Sequence, residues 1–118
     1  MKRLALLAAL ATAGCYVEGT PDQGDATFVW SFEGTPNCFQ AGVSTVEVYV
    51  SDFDGYTVAS SELTCSDGSV SYLDLGAGTY SFDLVGLASD GTALYEGGGD
   101  ATVQPGSNTY SVNLQIAQ

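Results

Sequence analysis

The sequence predicts an all-β domain, a single antiparallel β-sandwich of about seven short strands. From Ala26 onward, apolar and polar residues alternate, and no stretch longer than one turn has apolar residues at helical spacing. Turn-forming pairs such as Asp54-Gly55 and Asp90-Gly91 recur about every 8 to 12 residues, which is typical of a sandwich. The 118 residues suffice for one domain, and most of the 15 glycines fall at turns.

Two early strands are predicted from apolar residues at every other position. One face of each strand is apolar and the opposite face is mainly polar, as in a strand that covers a core on one side. The apolar positions are Phe28, Trp30 and Phe32 in the first strand and Val46, Val48 and Val50 in the second. Both strands are therefore expected to be half-buried.

The middle of the chain predicts two strands with weaker alternation. The third strand is expected from Tyr56 to Leu63 and the fourth from Val70 to Leu75. In the fourth strand, Leu73 and Leu75 are expected to point inward because they are two residues apart.

The last part of the chain predicts the remaining strands. The fifth begins near Tyr80 and runs to Leu87. The sixth is divided into two short pieces, Thr92 to Glu96 and Ala101 to Val103, by three consecutive glycines. The final strand, from Tyr110 to Ile116, has the clearest alternation in the chain.

The charge balance excludes several classes of function. Only Lys2 and Arg3 are basic, against 14 acidic residues, and histidine is absent. A nucleic-acid partner is excluded because phosphate neutralisation needs lysine or arginine. The mature chain would also lack histidine, lysine and arginine. Catalytic triads that contain histidine, lysine nucleophiles and basic clamps for anions are therefore excluded. No catalytic residue and no cofactor are predicted, although a carboxylate pair of the glycosidase type stays chemically possible.

The amino terminus predicts an export signal. Lys2 and Arg3 form a charged start, and the apolar run Leu4 to Thr12 is about half the length of a membrane span. The run ends in Ala13-Gly14-Cys15, which resembles the lipobox of bacterial lipoproteins, although Thr12 stands where that motif usually has leucine. The resemblance implies cleavage after residue 14 and acylation of Cys15. Ordinary signal cleavage nearby, with a free thiol at Cys15, is the alternative.

The residues after Cys15 are expected to tether the domain to a membrane. Residues 15–25 include glycine, proline and acidic residues without periodicity, and the folded domain is expected over residues 26–118. In bacterial lipoproteins an aspartate after the acylated cysteine favours retention in the inner membrane. Tyr16 occupies that place here, so the resemblance implies the outer membrane of the bacterial envelope.

Three cysteines in an exported chain leave one without a disulfide partner, and acylation of Cys15 accounts for it. Cys38 and Cys65 then form an even pair in an oxidising compartment. A disulfide between them closes a loop of about 28 residues and is worth about 3 kcal/mol of unfolding free energy in the chain-entropy model. A metal site is the alternative, but structural zinc uses four ligands at local spacings that this chain lacks. We therefore predict the disulfide.

Several short motifs resemble a known family of sandwich modules. They are Ala41-Gly42-Val43 before the alternating valines, Asp67-Gly68, and the run Leu73 to Tyr80. Together they resemble prealbumin-like modules, found as carboxypeptidase regulatory-like domains and collagen-adhesin B-type repeats, over about residues 41–115. The resemblance implies a non-catalytic stalk, spacer or recognition unit. The domain lacks lysine, which excludes the Lys-Asn cross-link of the adhesin repeats.

Five residues are candidates for binding, each with a structural alternative. Asp52 and Asp54 resemble the opening of a calcium loop, but further ligands are missing nearby and a plain Asp-Gly hairpin is favoured. Trp30 could stack on a sugar, but it shares a face with two phenylalanines and is expected in the core. Tyr49 and Tyr72 are expected to point outward, where they either bind a protein partner or cover the sheet.

Three functions are compatible with these observations. The leading hypothesis is a lipid-anchored, non-enzymatic module with a structural or protein-interaction role in the bacterial envelope. The second is a small-molecule or carbohydrate binder, which needs a concave pocket lined with aromatic residues. The third is a hydrolase with two carboxylates about 5 to 9 Å apart.

Overall fold

Seven strands form the described part of the chain, residues 23–117, in a computed structural model. The strands are β1 (Gln23–Phe32), β2 (Thr45–Ser51), β3 (Thr57–Thr64), β4 (Ser69–Gly76), β5 (Gly78–Leu87), β6 (Ala93–Val103) and β7 (Gly106–Ile116). A one-turn helix, α1 (Cys38–Ala41), and a 3-10 turn (Cys65–Asp67) lie between them. No helix within residues 23–117 has the length and apolarity of a membrane span. The prediction of an all-β domain is confirmed, whereas the signal segment and Cys15 lie outside the described residues.

The strands pair as one mixed sheet in the order β3-β2-β5-β6-β7-β1-β4. Neighbouring strands are antiparallel except β1 and β7, which are parallel. β6 and β7 pair only at Tyr95 with Ile116 and at Glu96 with Gln115. This short ladder joins a four-stranded part to a three-stranded part. The predicted sandwich of purely antiparallel strands is therefore not confirmed.

The positions of β1 and β7 in the chain allow these two strands to pair in parallel. Parallel neighbours need a long connection between them, and here all the other strands lie in that connection. The predicted tether also ends earlier than expected, because Gln23–Asp25 belong to β1. Gly24 pairs with Leu75 on one side and with Gly106 on the other, so this segment has sheet partners on both sides.

The sheet curls until it is nearly a barrel, with the core inside. The ring centroids of Phe28 on β1 and Phe82 on β5 are 5.0 Å apart, although these strands are not neighbours in the sheet. Phe28 also stacks on Tyr110 at 5.3 Å. The edge strands meet where the Tyr72 hydroxyl on β4 donates to Ser61 Oγ on β3 at 2.9 Å.

The predicted inward faces of β1 and β2 are confirmed. The buried apolar residues on these two strands are Ala26, Phe28, Trp30, Phe32, Val46, Val48 and Val50. Similar alternation buries Phe82 and Leu84 on β5 and Val112 and Leu114 on β7. The period of two thus identified most of the core on these four strands, although Ile116 at the end of β7 is exposed.

The predicted orientation of β4 is wrong at Leu73 and Tyr72. The Leu73 side chain is 67% exposed, whereas Tyr72 is partly buried against Phe28. The cause is a β-bulge, in which Leu73 and Asp74 together lie opposite Asp25 of β1. Asp74 has a φ of 60°, and its backbone N–H donates to Asp25 Oδ1 at 3.2 Å. The extra residue allows Tyr72 and Leu75 to face inward together.

The predicted break in the sixth strand is also wrong, because β6 continues through Gly97, Gly98 and Gly99. These glycines lie where neighbouring strands of the sheet approach β6 closely. A Cβ on Gly97 would lie 2.8 Å from Leu114 Cδ2, and a Cβ on Gly98 would lie 2.6 Å from the Phe82 carbonyl oxygen. Glycine is needed here for close approach and not for a turn.

The two ends of the sheet carry different features. Gln23, the first described residue, lies at the near end, where Gly24 is opposite Gly106 at the start of β7. The β2–β3 turn lies at the same end, because Ser51 is opposite Ser81 close to the start of β5. The far end consists of α1, the 3-10 turn and the β5–β6 loop. The ten residues of β1 separate the two ends by about 30 Å.

Candidate functional site

A groove with a volume of about 430 Å³ lies at the far end of the sheet. It is lined by the end of β1, the segment that leads into α1, and the 3-10 turn, and its lining includes Trp30, Phe32, Asn37, Phe39, Cys65 and Ser66. None of the lining residues is charged. Small-molecule sites commonly have volumes of roughly 300 to 1,000 Å³ and mostly apolar linings with a few polar groups. The groove has these properties.

The Cys38–Cys65 disulfide forms part of the groove wall and joins α1 to the 3-10 turn. The two Cα atoms are 6.1 Å apart, and the predicted pairing is confirmed. Cys65 is fully buried and its backbone N–H donates to the Ser44 carbonyl at 2.9 Å. The disulfide therefore attaches the exposed helix to a buried point of the core.

The local sequence holds Phe39 at the surface of α1. Asn37 caps the helix, because its Oδ1 accepts from the Gln40 N–H at 2.8 Å. Gly42 ends the helix with a φ of 77°, a left-handed conformation that glycine adopts without a steric penalty. Between these two residues the Phe39 side chain is 92% exposed. Its ring is therefore available to a ligand at the side of the groove.

Trp30 contributes a buried wall of the groove and is not an exposed platform. Its side chain is 7% exposed, which confirms the predicted core position. The indole N–H donates to the Cys65 carbonyl at 3.0 Å. Because this donor is already engaged, Trp30 would offer a ligand apolar contact only.

The groove has polar groups with unused hydrogen-bonding capacity. Within residues 23–117, the Asn37 side-chain nitrogen and the Ser66 hydroxyl have no hydrogen-bond partner, whereas the Ser31 hydroxyl donates to Asn113 Oδ1 at 3.1 Å. An amide donor and a hydroxyl near an exposed ring can bind a neutral, hydroxylated ligand.

The structure places Asp52 and Asp54 in a hairpin turn at the near end. Asp52 Oδ1 accepts from the backbone N–H groups of Asp54 and Tyr56, both at 3.0 Å. The Asp52 carboxylate therefore holds the turn together, as in an Asx-turn. Among the described residues, no group of three or more Asp, Glu, His or Cys side chains is arranged to hold a metal ion.

The outward position predicted for Tyr49 is confirmed. Its hydroxyl donates to Glu47 Oε1 at 3.1 Å, and this hydrogen bond and the Glu47 charge raise the pKa of Tyr49. Glu47 lies opposite Glu62 on the neighbouring strand. These two carboxylates lie on the outer face of the sheet, and no carboxylate of the described chain lines the groove at the far end.

Sequence reasoning missed two exposed aromatic residues, Phe39 and Phe53. Phe39 lies between two predicted strands and has no alternating neighbours, so periodicity does not identify it. The signal available was Asn37, which is a preferred helix cap, next to a cysteine expected in a disulfide. Phe53 lies between Asp52 and Asp54, and the sequence prediction for that segment concerned only the two aspartates, although the structure leaves Phe53 92% exposed.

No family model and no curated protein sequence matches the chain. Several solved structures are similar to it, and two of them are from Bacteroides species. One is a candidate adhesin from Bacteroides ovatus, with a TM-score of 0.59 and 19% identity over 78% of this chain and 45% of that chain. The other is a candidate polysaccharide-binding protein from Bacteroides thetaiotaomicron, with a TM-score of 0.53 and 16% identity over 78% of this chain and 46% of that chain. At these identities the similarity concerns the fold, and this chain matches less than half of either neighbour.

Proposed function

We propose that this protein is a non-catalytic binding module of the bacterial envelope and that the groove at the far end is its binding site. The ligand class that fits best is a neutral carbohydrate. The observation that carries this proposal is an exposed phenylalanine ring beside an uncharged groove. Aromatic rings bind the apolar faces of sugars, and the free amide and hydroxyl groups can bind sugar hydroxyls.

The charge of the chain supports a neutral ligand. The protein has a net charge of −12, yet no acidic residue of the described part, residues 23–117, lines the groove. Anionic ligands would be repelled by the surrounding surface, and the groove has no basic group to hold them. The names of the two structural neighbours, one an adhesin and one a polysaccharide-binding protein, are consistent with a binding role.

We also propose that Cys15 anchors the protein in the outer membrane through acyl chains. The support is the export signal and the Ala13-Gly14-Cys15 motif. The mature chain would begin at Cys15, and residues 16–22 would connect it to β1. The motifs around Ala41-Gly42-Val43 and Leu73 to Tyr80 support a common origin with prealbumin-like modules, and this too is a proposal.

The binding proposal is tested by replacing Phe39. We expect Phe39→Ala to weaken glycan binding at least about tenfold, because burying a phenylalanine ring is worth about 1.5 kcal/mol or more. Phe53→Ala is the matched control, because both rings are equally exposed at 92% and Phe53 lies at the opposite end. Binding is measured by titration calorimetry with glycans selected from an array. Equal affinities of the two variants, or no glycan bound by the wild type, would contradict the proposal.

The second candidate function is a protein-interaction module, and the exposed position of Tyr49 favours it. Tyr49 lies on a sheet face with Glu47, so a partner at this face would need basic residues. Under this alternative, Tyr49→Ala abolishes capture of a partner from outer-membrane extract, whereas Phe39→Ala leaves capture unchanged.

A further inference from the structure

We propose that the turn between β2 and β3 is a second membrane contact, in which Phe53 and Tyr56 lie in the headgroup region of the lipid surface. We refer to residues 52–56 as the β2–β3 turn. The inference rests on the proposed anchor at Cys15 and adds an orientation to it. The near end would face the lipid, and the groove at the far end would point away from it.

The first observation is the exposure of two aromatic side chains on one short turn. Phe53 is 92% exposed and Tyr56 is 73% exposed. Exposed aromatic rings on a single turn are costly in water and favourable at a membrane interface, where the ring is apolar and its surroundings are partly hydrated. Neither ring takes part in an aromatic pair within the described chain.

The second observation is the position of the turn relative to the proposed anchor. The β2–β3 turn and Gln23 lie at the same end of the sheet. Eight residue steps separate Cys15 from Gln23, so the covalent chain can span at most about 28 Å. This limit is similar to the length of β1, about 30 Å. An acylated Cys15 would therefore let the near end contact the lipid, whereas the far end could point toward the lipid only with the tether almost fully extended.

The third observation is that most backbone N–H groups of the turn have acceptors within the turn itself. The N–H groups of Asp54 and Tyr56 donate to Asp52 Oδ1, and the Gly55 N–H donates to the Asp52 carbonyl at 3.0 Å. The Asp52 N–H donates to the Tyr56 carbonyl at 2.8 Å. These groups would lose no water on entering the interface, so insertion avoids a large part of the usual desolvation cost.

The acidic residues of the turn determine the kind of lipid surface. Asp52 and Asp54 would remain at the level of the headgroups, where an anionic surface repels them. The contact should therefore favour zwitterionic phospholipid and weaken as anionic lipid is added. Binding through basic residues is excluded, because the described chain contains none.

The test uses the full-length acylated protein in phosphatidylcholine vesicles with brominated acyl chains, which quench nearby tryptophan fluorescence. The variants are Phe53→Trp and Phe39→Trp, at equally exposed sites on opposite ends. The wild-type protein supplies the baseline, because Trp30 is buried near the far end. We expect stronger quenching and a blue shift for Phe53→Trp only, and less of both with anionic lipid. Equal emission changes in the two variants would overturn the proposal.

Intact mass, measured on the same samples, separates the two proposals. A chain that starts at Cys15 with acyl mass, but without quenching of the Phe53→Trp protein, overturns the membrane contact and leaves the anchor standing. A chain without acyl mass overturns the anchor, and the membrane contact with it.

Discussion

Cys65 connects three parts of the far end through different atoms. Its Sγ is bonded to Cys38, its carbonyl accepts from the Trp30 indole, and its N–H donates to Ser44. The groove therefore depends on this residue for its shape. A substitution at Cys65 would affect both the position of the helix that carries Phe39 and the packing of the core.

The disulfide should contribute measurably to stability. We expect Cys38→Ser to lower the free energy of unfolding by about 3 kcal/mol, from the loop that the bond closes. Cys65→Ser should cost more than this, because Cys65 is 1% exposed and its replacement buries a hydroxyl. Urea unfolding of the two variants and the wild type measures both effects. Equal losses would contradict the second expectation, and alkylation of both thiols in the unreduced, folded protein would contradict the bond itself.

At the scale of single residues, the sequence predicted burial well where alternation is regular. Trp30 was assigned to the core because Phe28 and Phe32 lie on the same face, and the structure agrees. Tyr72 and Leu73 were assigned to the wrong faces. Their orientation depends on how β4 pairs with Asp25, which is 47 or more residues away in the chain. Local alternation contains no information about such a bulge.

Among the strands, β6 is closely constrained by its neighbours at its glycines. Its three consecutive glycines lie between β5 and β7, and two of them leave no room for a side chain. The sequence alone suggested a break, because three glycines more often form a turn. Whether these glycines form a turn or a continuous strand depends on Phe82 and Leu114, which lie close to them only in the folded sheet.

A pair of glycine variants tests this explanation. We expect Gly98→Ala to cost about 1 to 3 kcal/mol of unfolding free energy, because its Cβ would overlap the Phe82 carbonyl. Gly99→Ala is the matched control, since its Cβ would lie 3.5 Å from Phe82 Cζ, an ordinary contact. Gly99→Ala should be neutral or slightly stabilising, because alanine restricts the unfolded chain. Thermal unfolding compares the two, and similar losses would show that space at Gly98 is not the cause.

On the scale of the whole molecule, the main electrostatic feature is uncompensated negative charge. The chain has 14 acidic residues, and its two basic residues lie outside the described part. Glu47 and Glu62 are directly opposite each other across β2 and β3, an arrangement that destabilises a strand pair. Screening by salt should therefore stabilise the fold.

This effect predicts how the melting temperature responds to ions. Monovalent salt at about 0.5 M, which screens charges beyond about 4 Å, should raise the melting temperature at least as much as about 1 mM calcium. Asp54→Asn should not change the calcium response, because Asp54 belongs to no group of three or more potential metal ligands among the described residues. Calorimetry in both salts measures the difference. A saturable calcium response that Asp54→Asn removes would show that the two aspartates bind the ion.

The all-β class and the number of strands were predictable, but the sandwich and the sheet order were not. Alternation and turns identify strands locally, whereas the parallel pairing of β1 with β7 joins residues that are about 80 positions apart. The groove was not predictable for the same reason. It requires β1, α1 and the 3-10 turn to meet, and the two cysteines were the only sequence signal for that contact.

The position of β1 between β4 and β7 also determines how the domain would respond to mechanical force. A ligand held at the far end and an anchor attached before Gln23 would pull along the axis of β1. Inter-strand hydrogen bonds run across that axis, so the load would act in shear on both ladders at once. Such bonds must break together, whereas bonds pulled open from one end break in sequence. The sheet order would thus resist tension between the proposed anchor and a ligand in the proposed groove.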